Sequence, residues 1–585
     1  MSTTLRCLLV PVVAVALADA KAYKFQEKVD IFVNKVGPHA NPSETYHFYA
    51  LPVCRPEKVR HRHLSLGEVL AGDRMAYSMF EIQFQVPKNL TELCPSYQVV
   101  GDDLKLLKEA LEERWYFEFL VDNLPLRDYI GQIEQTGIFP HEHAFYLPTH
   151  YHFVFEYNGE NIISARIDLT KQKPIKLGHD DPSIDLQWTY SAEWIMTRVP
   201  YDRRKKSEGE GVSLVGRQLE VHWLSVLNSL LLTLMLVAFV VLILFRVVRN
   251  DLIKYNESGS DAETMENGWK VISGDVFRFP NYRNALCAIL GCGCQLGAMT
   301  VLLLVLGTLN QIVLSRRGEL YKLTVALYGF TTFLAGYVSA KCYRRLNGDR
   351  WVWNINCTSA TFSLPFFVIW AVLNTLWWIG GSTRALPYGT VILLLIVWLC
   401  VGYPLTWLGG TLGRRTADAF TAPCRTRLVP RELPPLAWYQ SMGVYCVAGG
   451  FLSFSSISVE LYYVLSSVWG HELHTIYHVV LITAVILILV TGCVSVALTY
   501  FQLQSEDYRW WWRSIFTGGS TGLYVFAYSV YFYFRRSEMS GLLQTLQFFG
   551  YAALLSYAFF LALAAVSFYA SERFVRFIYA SVKTD

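Results

Sequence analysis

The sequence predicts an α+β membrane protein, in which an N-terminal lumenal domain resembling a β-sandwich precedes a nine-helix transmembrane bundle. Of the 585 residues, 53% are hydrophobic and 17% are charged, whereas an ordinary soluble domain has about 25% charged residues. Of the 98 charged residues, 53 lie between Lys21 and Glu220. The rest of the chain is sparsely charged and carries most of the long apolar runs. A net charge of +4 is too small to indicate a nucleic-acid partner.

Residues 1–20 have the pattern of a signal peptide. Arg6 gives a basic start, Cys7–Ala18 is an apolar stretch of 12 residues, and Ala18-Asp19-Ala20 has the small residues of a cleavage site. Twelve residues are too few to cross a bilayer, which takes about 20. We therefore expect cleavage near Ala20 and a mature chain that begins in the secretory lumen. The alternative is an uncleaved anchor.

The lumenal region, residues 21–220, is predicted to be mainly β. His152–Tyr157 leads into Asn158-Gly159, a strong hairpin signal, after which Asn161–Leu169 alternates as the return strand. The clearest helical stretch is Leu104–Phe119, whose charges are spaced three and four residues apart. This pattern favours a β-sandwich that carries one or two helices.

Two covalent modifications are predicted in the lumenal region. Cys54 and Cys94 are the two cysteines of this region, and an even pair in an oxidising compartment favours one disulfide over two buried thiols. Asn89-Leu90-Thr91 is a sequon for N-glycosylation of Asn89.

The membrane region, residues 221–570, is predicted to contain nine spans. Leu224–Phe245 is an uncharged run of 22 residues, long enough to cross a bilayer. Further apolar runs follow at 285–309, 323–340, 357–379, 388–410, 442–466, 477–500, 514–534 and 543–570.

The distribution of basic residues predicts the orientation of these spans. With the N-terminal domain in the lumen, the cytosolic segments hold 20 Lys and Arg residues, and the lumenal loops hold 6. This asymmetry agrees with the positive-inside rule. An odd number of spans then places the tail, residues 571–585, in the cytosol.

Small and aromatic residues in the membrane region are assigned to packing. Gly409, Gly410 and Gly413, and also Gly518, Gly519 and Gly522, permit close approach of helices. The run Trp510-Trp511-Trp512 is assigned to an aromatic belt at the membrane interface.

Glu460 is the carboxylate that lies well inside a predicted span. An ionisable group there is costly and marks a candidate functional site. It would bind a cation, relay a proton or hold a polar group of a partner. The alternative is a protonated or hydrogen-bonded Glu that locks two helices together.

Histidines cluster within the lumenal region at His141, His143, His150 and His152. Histidine titrates in the pH range of acidic Golgi and endosomal lumens, so these four are candidates for pH sensing. Metal binding is less favoured, because the cluster lacks a cysteine or a spacing signature. We predict no metal site, no cofactor and no catalytic site: P-loop, HExxH and GxSxG patterns are all absent from the sequence.

Several further motifs together resemble the nonaspanins, also called the transmembrane-nine superfamily or Emp70 family. In the lumenal half the resemblance rests on Asn34–Pro38, Asn41–Tyr46, Leu51–Cys54, Leu66–Glu68 and Gly72–Arg74. In the membrane half it rests on Trp269-Lys270, Gly274–Arg278, Pro423–Arg425 with Pro430-Arg431 and Pro434, Ile457–Tyr462 and Glu506–Trp510. It covers nearly the whole mature chain, with local divergence at residues 139–152.

The resemblance implies a multispanning protein of Golgi and endosomal membranes that is not an enzyme. It implies that the protein sorts or escorts other membrane proteins, particularly cargo with glycine-rich spans. It also implies a C-terminal signal that binds the COPI coat, which Lys583 and Asp585 match. The alternative function is an ion- or proton-coupled transporter or channel that uses Glu460.

Overall fold

The computed structural model describes residues 21–136, 142–178, 181–201, 204, 223–257, 268–309, 318–435, 437–469 and 477–581. The predicted signal peptide, His141, Lys583 and Asp585 lie outside the described residues.

Within these ranges, the N-terminal part forms a β domain with 16 strands in five sheets. The two largest sheets have five strands (β3-β2-β8-β9, with β4 on β2) and four strands (β13-β12-β16-β6). The strands are β1 Lys28–Val29, β2 Ile31–Pro38, β3 Tyr46–His47, β4 Ala76–Tyr77, β5 Ile82–Gln83, β6 Lys88–Glu92, β7 Tyr97–Val100, β8 Trp115–Val121, β9 Leu124–Tyr129, β10 Gln132–Thr136, β11 Glu142–Leu147, β12 His150–Asn158, β13 Asn161–Asp168, β14 Ile175–Leu177, β15 Ser183–Leu186 and β16 Thr189–Met196.

The two large sheets share one aromatic core. Phe119 of β8 and Tyr151 of β12 have ring centroids 5.8 Å apart, and Phe80 contacts both Phe119 and Phe153. The predicted hairpin is confirmed: β12 and β13 are antiparallel, and Gly159 in their turn has a φ of 61°. A feature that the sequence does not reveal is the parallel pairing of β12 with β16, since a sandwich of this kind is ordinarily antiparallel throughout.

The predicted helix Leu104–Phe119 is only half correct. Helix α2, Asp102–Glu112, buries its apolar face, but the chain then turns at Arg114, which has a φ of 51°. Strand β8 follows, and all of its residues are buried. Aromatic and β-branched residues favour a strand, and both faces of β8 are covered, so the period-two alternation that would announce it is missing.

A short helix, α1 Leu66–Leu70, precedes α2 in the β domain.

The C-terminal part is a bundle of helices. The bundle helices are α3 Trp223–Glu257, α4 Arg283–Leu309, α5 Glu319–Arg345, α6 Trp351–Ile379, α7 Tyr388–Arg415 with a π-turn at Trp398–Gly402, α8 Met442–Ser455, α9 Ser458–Trp469, α10 Tyr477–Gln504, α11 Trp510–Gly519, α12 Thr521–Arg536 and α13 Leu542–Ala580.

The described residues contain seven helices long and apolar enough to cross a membrane, or eight if the bent pair α8–α9 is one span. The difference from nine lies at the predicted span 514–534. There the chain forms two shorter helices, α11 with 10 residues and α12 with 16. Gly, Ser, Thr and Tyr are frequent in this pair, which lowers its hydropathy.

Helices α4 and α13 form the centre of the bundle, whereas α3 lies at its edge. In the most apolar stretch, 39% of the residues of α4 and α13 are buried, against 6% for α3. Small residues allow close packing: a Cβ on Gly336 of α5 would lie 2.0 Å from the Thr406 carbonyl oxygen of α7. The predicted packing glycines lie at such contacts, α7 against α5 and α6, and α11–α12 against α13.

The end of the bundle away from the β domain, which we call the far face, has an aromatic core of its own. Trp510 and Trp511 are buried there, with exposures of 0% and 4%. The Trp510 indole donates to the Val276 carbonyl (3.0 Å), and the Tyr579 hydroxyl donates to the Trp269 carbonyl (2.6 Å). The assignment of Trp510 and Trp511 to an aromatic belt is therefore wrong, because Trp510 is bonded to loop 268–277 and Trp511 packs against Trp510 and Phe568.

Candidate functional site

The β domain contacts the bundle at a junction formed by Asn41–Thr45 and the loops before α7 and α13. The Thr45 and Thr383 hydroxyls are 2.7 Å apart, and the Thr383 amide donates to the Thr45 carbonyl (2.8 Å). The Ser43 amide donates to Oε1 of Gln544 (3.0 Å), a residue 501 positions away in the sequence. Ser43, Thr45, Thr383 and Gln544 are all buried, so these hydrogen bonds are shielded from water.

Backbones approach closely at a second point of the junction. A Cβ on Gly67 of α1 would lie 2.1 Å from the carbonyl oxygen of Gly318, directly before α5. No side chain fits between two backbones at that distance. Only glycine at position 67 therefore allows α1 to lie against the start of α5.

A buried polar network supports the junction from within the β domain. The side-chain amide of Asn34 donates to Asp73 (2.9 Å) and to Glu118 (2.6 Å), and its oxygen accepts from the Arg74 amide (2.9 Å). The Arg74 guanidinium then donates to the Ala385 carbonyl in the loop before α7. Buried carboxylates need such partners, because an unpaired charge there costs several kcal/mol.

Glu460 lies where a membrane helix is broken. It is in the first turn of α9, directly after a bend of 67° between α8 and α9. Its side chain is buried, and among the described residues no hydrogen-bond partner reaches Oε2. Its neighbours Ile457 and Leu461 belong to apolar clusters formed with α10, α12 and α13. The site thus combines a carboxylate, a helix N-terminus and apolar surroundings.

Two of the four candidate histidines are brought together. His150 and His152 are buried on one face of β12, and the Ser191 hydroxyl is 2.8 Å from His150 Nε2 and 2.7 Å from His152 Nδ1. Burial lowers the pKa of both imidazoles below the ordinary 6.5, and Lys171, 2.9 Å from His152 Nε2, lowers it further at His152. His143 lies on β11 in another sheet. Within the described ranges, no three His, Cys, Asp or Glu residues are arranged to hold a metal ion.

In the β domain, the two predicted cysteines are paired and the predicted glycosylation site is exposed. Cys54 and Cys94 form a disulfide with their Cα atoms 6.1 Å apart, a separation typical of such bonds. Asn89 is exposed on β6. Glycosylation of Asn89 stays a prediction.

Sequence reasoning assigned no role to the junction residues. Asn34, Asn41–Thr45 and Asp73-Arg74 were identified only as motif residues, and their bundle partners Thr383 and Gln544 were missed. The available signal is that the loop 380–387 is short and contains Ser382, Thr383 and Arg384 between two apolar spans. That signal predicts a polar loop, but its partner is decided by the fold.

The Endomembrane protein 70 family model matches residues 45–542. The chain is 48% identical over 575 residues to transmembrane 9 superfamily member 1 of Bos taurus, covering 96% of this chain and 94% of the relative. It is 39% identical to transmembrane 9 superfamily member 4 of Arabidopsis thaliana (96% and 95% covered) and 38% identical to putative phagocytic receptor 1b of Dictyostelium discoideum (99% and 98% covered). No solved structure matches.

Proposed function

Because this chain belongs to the endomembrane protein 70 family, within the transmembrane 9 superfamily, we propose that it sorts or escorts other membrane proteins. Its cargo would be membrane proteins, including those with glycine-rich spans. It would act in Golgi and endosomal membranes, with the β domain in the lumen and the C-terminus in the cytosol. Lys583 and Asp585 would recruit the COPI coat and retain the protein in the Golgi.

The observation that carries this proposal is the junction. The β domain is hydrogen-bonded directly to the bundle through Ser43 and Thr45, so it lies at the membrane surface. In that position it can contact the lumenal part of a protein whose span packs beside the bundle. Recognition of both parts of one cargo gains affinity through high effective concentration.

Replacing Gly67 with Val tests the junction. The added side chain would overlap the Gly318 backbone, so we expect the β domain to shift away from the bundle. Cells that lack the protein would be rescued with each variant, and surface membrane proteins would be biotinylated and quantified by mass spectrometry. We expect the wild type to restore a defined set and the Gly67→Val variant to restore it less than half as well.

Gly389→Val is the matched control. Gly389 is the second residue of α7, as Gly67 is of α1, but nothing lies within 4 Å of a Cβ placed there. This variant should rescue fully, and all variants should be compared at equal Golgi abundance. Full rescue by Gly67→Val, or a surface proteome that does not depend on the protein, would contradict the proposal.

A second candidate function is ion- or proton-coupled transport through Glu460. The observation that favours it is the broken α8–α9 pair, because many transporters place a binding site at the termini of discontinuous helices. The N-terminal end of α9 forms such a terminus, and Glu460 Oε2 there has no hydrogen-bond partner within the described part of the chain.

Reconstitution in liposomes tests transport. Proton flux under an imposed pH gradient would be followed with a pH-sensitive dye inside the vesicles. If the protein transports protons, the flux must exceed that of empty vesicles, and Glu460→Gln must reduce it at least tenfold. The control is Glu319→Gln, which alters a first-turn Glu of another span and should leave the flux unchanged. Equal flux in wild-type and empty vesicles would exclude proton coupling.

A further inference from the structure

The far face contains an open cavity that neither proposed function uses. It has a volume of about 200 Å³ and lies between α5, α11, α13 and the loop after α7. This is smaller than most ligand pockets, which measure roughly 300–1,000 Å³, so the cavity admits a single charged group of a ligand. The side chains of Trp511 and Phe568 contribute apolar walls, and Lys341 and Arg345 line one side.

The charge of this cavity is positive. Tyr337, Lys341 and Arg345 are four residues apart on α5 and share one face of the helix. The acidic group of the lining, Glu572, is 3.0 Å from Arg576 and 3.9 Å from Arg345. Its charge is therefore compensated first by Arg576, which leaves Lys341 and Arg345 in excess. Asp418 on the adjoining loop is exposed to solvent, where screening weakens its effect.

The position along α5 places these cations at the level of lipid headgroups. Helix α5 has 27 residues, or about 40 Å at 1.5 Å per residue. The hydrocarbon core of a bilayer is about 30 Å thick. Lys341 and Arg345 are in the last five residues of the helix. With the helix centred in the bilayer, about 5 Å extends past the hydrocarbon at each end, so Arg345 lies beyond the hydrocarbon and Lys341 lies at its edge. Basic pockets between spans at this depth bind anionic headgroups.

We propose that the cavity binds the phosphate-bearing headgroup of an anionic membrane lipid. Arg345 presents a planar fork of donors that matches phosphate oxygens, and Lys341 adds a point charge. Trp511 and Phe568 contact the apolar part of the headgroup region. Both cations also complement the C-terminal end of the α5 dipole, a role that requires no ligand. The experiment separates lipid binding from this stabilisation of the helix.

The experiment uses the full chain in detergent micelles. Binding of dioctanoyl phosphatidylinositol monophosphate, dioctanoyl phosphatidylcholine and inorganic phosphate would be measured by microscale thermophoresis. We expect the anionic lipid to bind, and the double substitution Lys341→Gln with Arg345→Gln to weaken it about tenfold or more, since charge-assisted hydrogen bonds are lost. Lys341→Arg should bind nearly as the wild type does, which keeps the test valid if the double variant is unstable.

Arg344→Gln is the control, because Arg344 is in the same last turn, is exposed and does not line the cavity. It should bind as the wild type does. An equal loss in Arg344→Gln, or unchanged binding in the double variant, would overturn the proposal. The proposal would also be overturned if the zwitterionic lipid bound as tightly as the anionic lipid. If inorganic phosphate bound as tightly as the anionic lipid, the result would overturn the proposal and indicate a site for a free anion.

Discussion

Glu460 and His150 show that a residue type can be recognised in a sequence before its surroundings are known. The position of Glu460 within an apolar run already indicates a costly carboxylate. The structure adds the bend before it and the buried Oε2 atom, to which none of the described residues donates a hydrogen bond. For His150, the structure adds a partner, Ser191, that lies 41 residues away in the sequence. Such environments depend on distant segments, which a local pattern does not specify.

His47 lies directly beside the junction segment Asn41–Thr45. Its Nδ1 accepts from the Tyr49 amide (3.2 Å), and among the described residues its buried Nε2 has no hydrogen-bond partner. Burial, reinforced by the neighbouring His61, lowers its pKa from 6.5 to about 4. As the pH falls, His47 is protonated in the unfolded chain at a higher pH than in the folded chain. His47 therefore favours folding above pH 6.5, and this contribution is lost as the pH falls from 6.5 towards 4.

We therefore predict local opening around His47 at acidic pH. At pH 5.5 the shift corresponds to an opening constant roughly tenfold larger than at neutral pH, or about 1.4 kcal/mol. Hydrogen exchange of peptides spanning Lys35–His47, corrected for the intrinsic rate, would measure it. A local readout is needed because burial raises the pKa of Asp128 to about 6, which stabilises the fold as the pH falls below 6.

Substitutions at His47 and His63 test whether protonation of His47, and not a general sensitivity of the domain to acid, causes the local opening. The His47→Gln variant should show the same protection at pH 7 and pH 5.5, whereas His63→Gln, at an exposed position, should respond as the wild type does. A pH response that survives in His47→Gln would assign it to other groups.

At the scale of the element, a hairpin was predictable where its turn is marked in the sequence, and a strand without such a signal was not. The hairpin β12–β13 follows from Asn158-Gly159 and from the alternation of β13. Strand β8 was misassigned, because it is buried on both faces and follows α2 within three residues. The pair α11–α12 was predicted as one span, but it is divided at Ser520, whose hydroxyl donates to the Cys446 carbonyl of α8 (2.7 Å).

At the scale of the whole molecule, motifs that are distant in the sequence form two assemblies. Those of the β domain meet the loops before α7 and α13 at the junction. Of those in the membrane half, Gly274–Arg278, Pro430-Arg431 and Glu506–Trp510 meet at the far face, where the Arg427 amide donates to the Gly274 carbonyl (2.8 Å) and Arg431 pairs with Glu506 (2.9 Å). These contacts give each motif a structural role that its composition does not reveal.

The C-terminal tail yields a prediction about the location of the whole protein. If Lys583 and Asp585 bind the COPI coat, replacing both with Ala removes the charges that the coat recognises. We expect the tagged protein to move from the Golgi to later compartments, as measured by co-localisation with compartment markers. Thr584→Ala, which leaves both charges, is the control. A Golgi fraction unchanged by the double substitution would remove this signal from the proposed function.

The sequence by itself determined the class of this protein, because hydropathy and charge distribution act over whole segments. A charged β-rich part, a long apolar part and the hairpin follow from such local patterns. Only the tertiary structure decided that Thr45 meets Thr383, that Trp510 is covered rather than exposed, and that Lys341 and Arg345 line a cavity. The physical reason is that these features arise from close packing between segments hundreds of residues apart, and packing depends on shape at every contact.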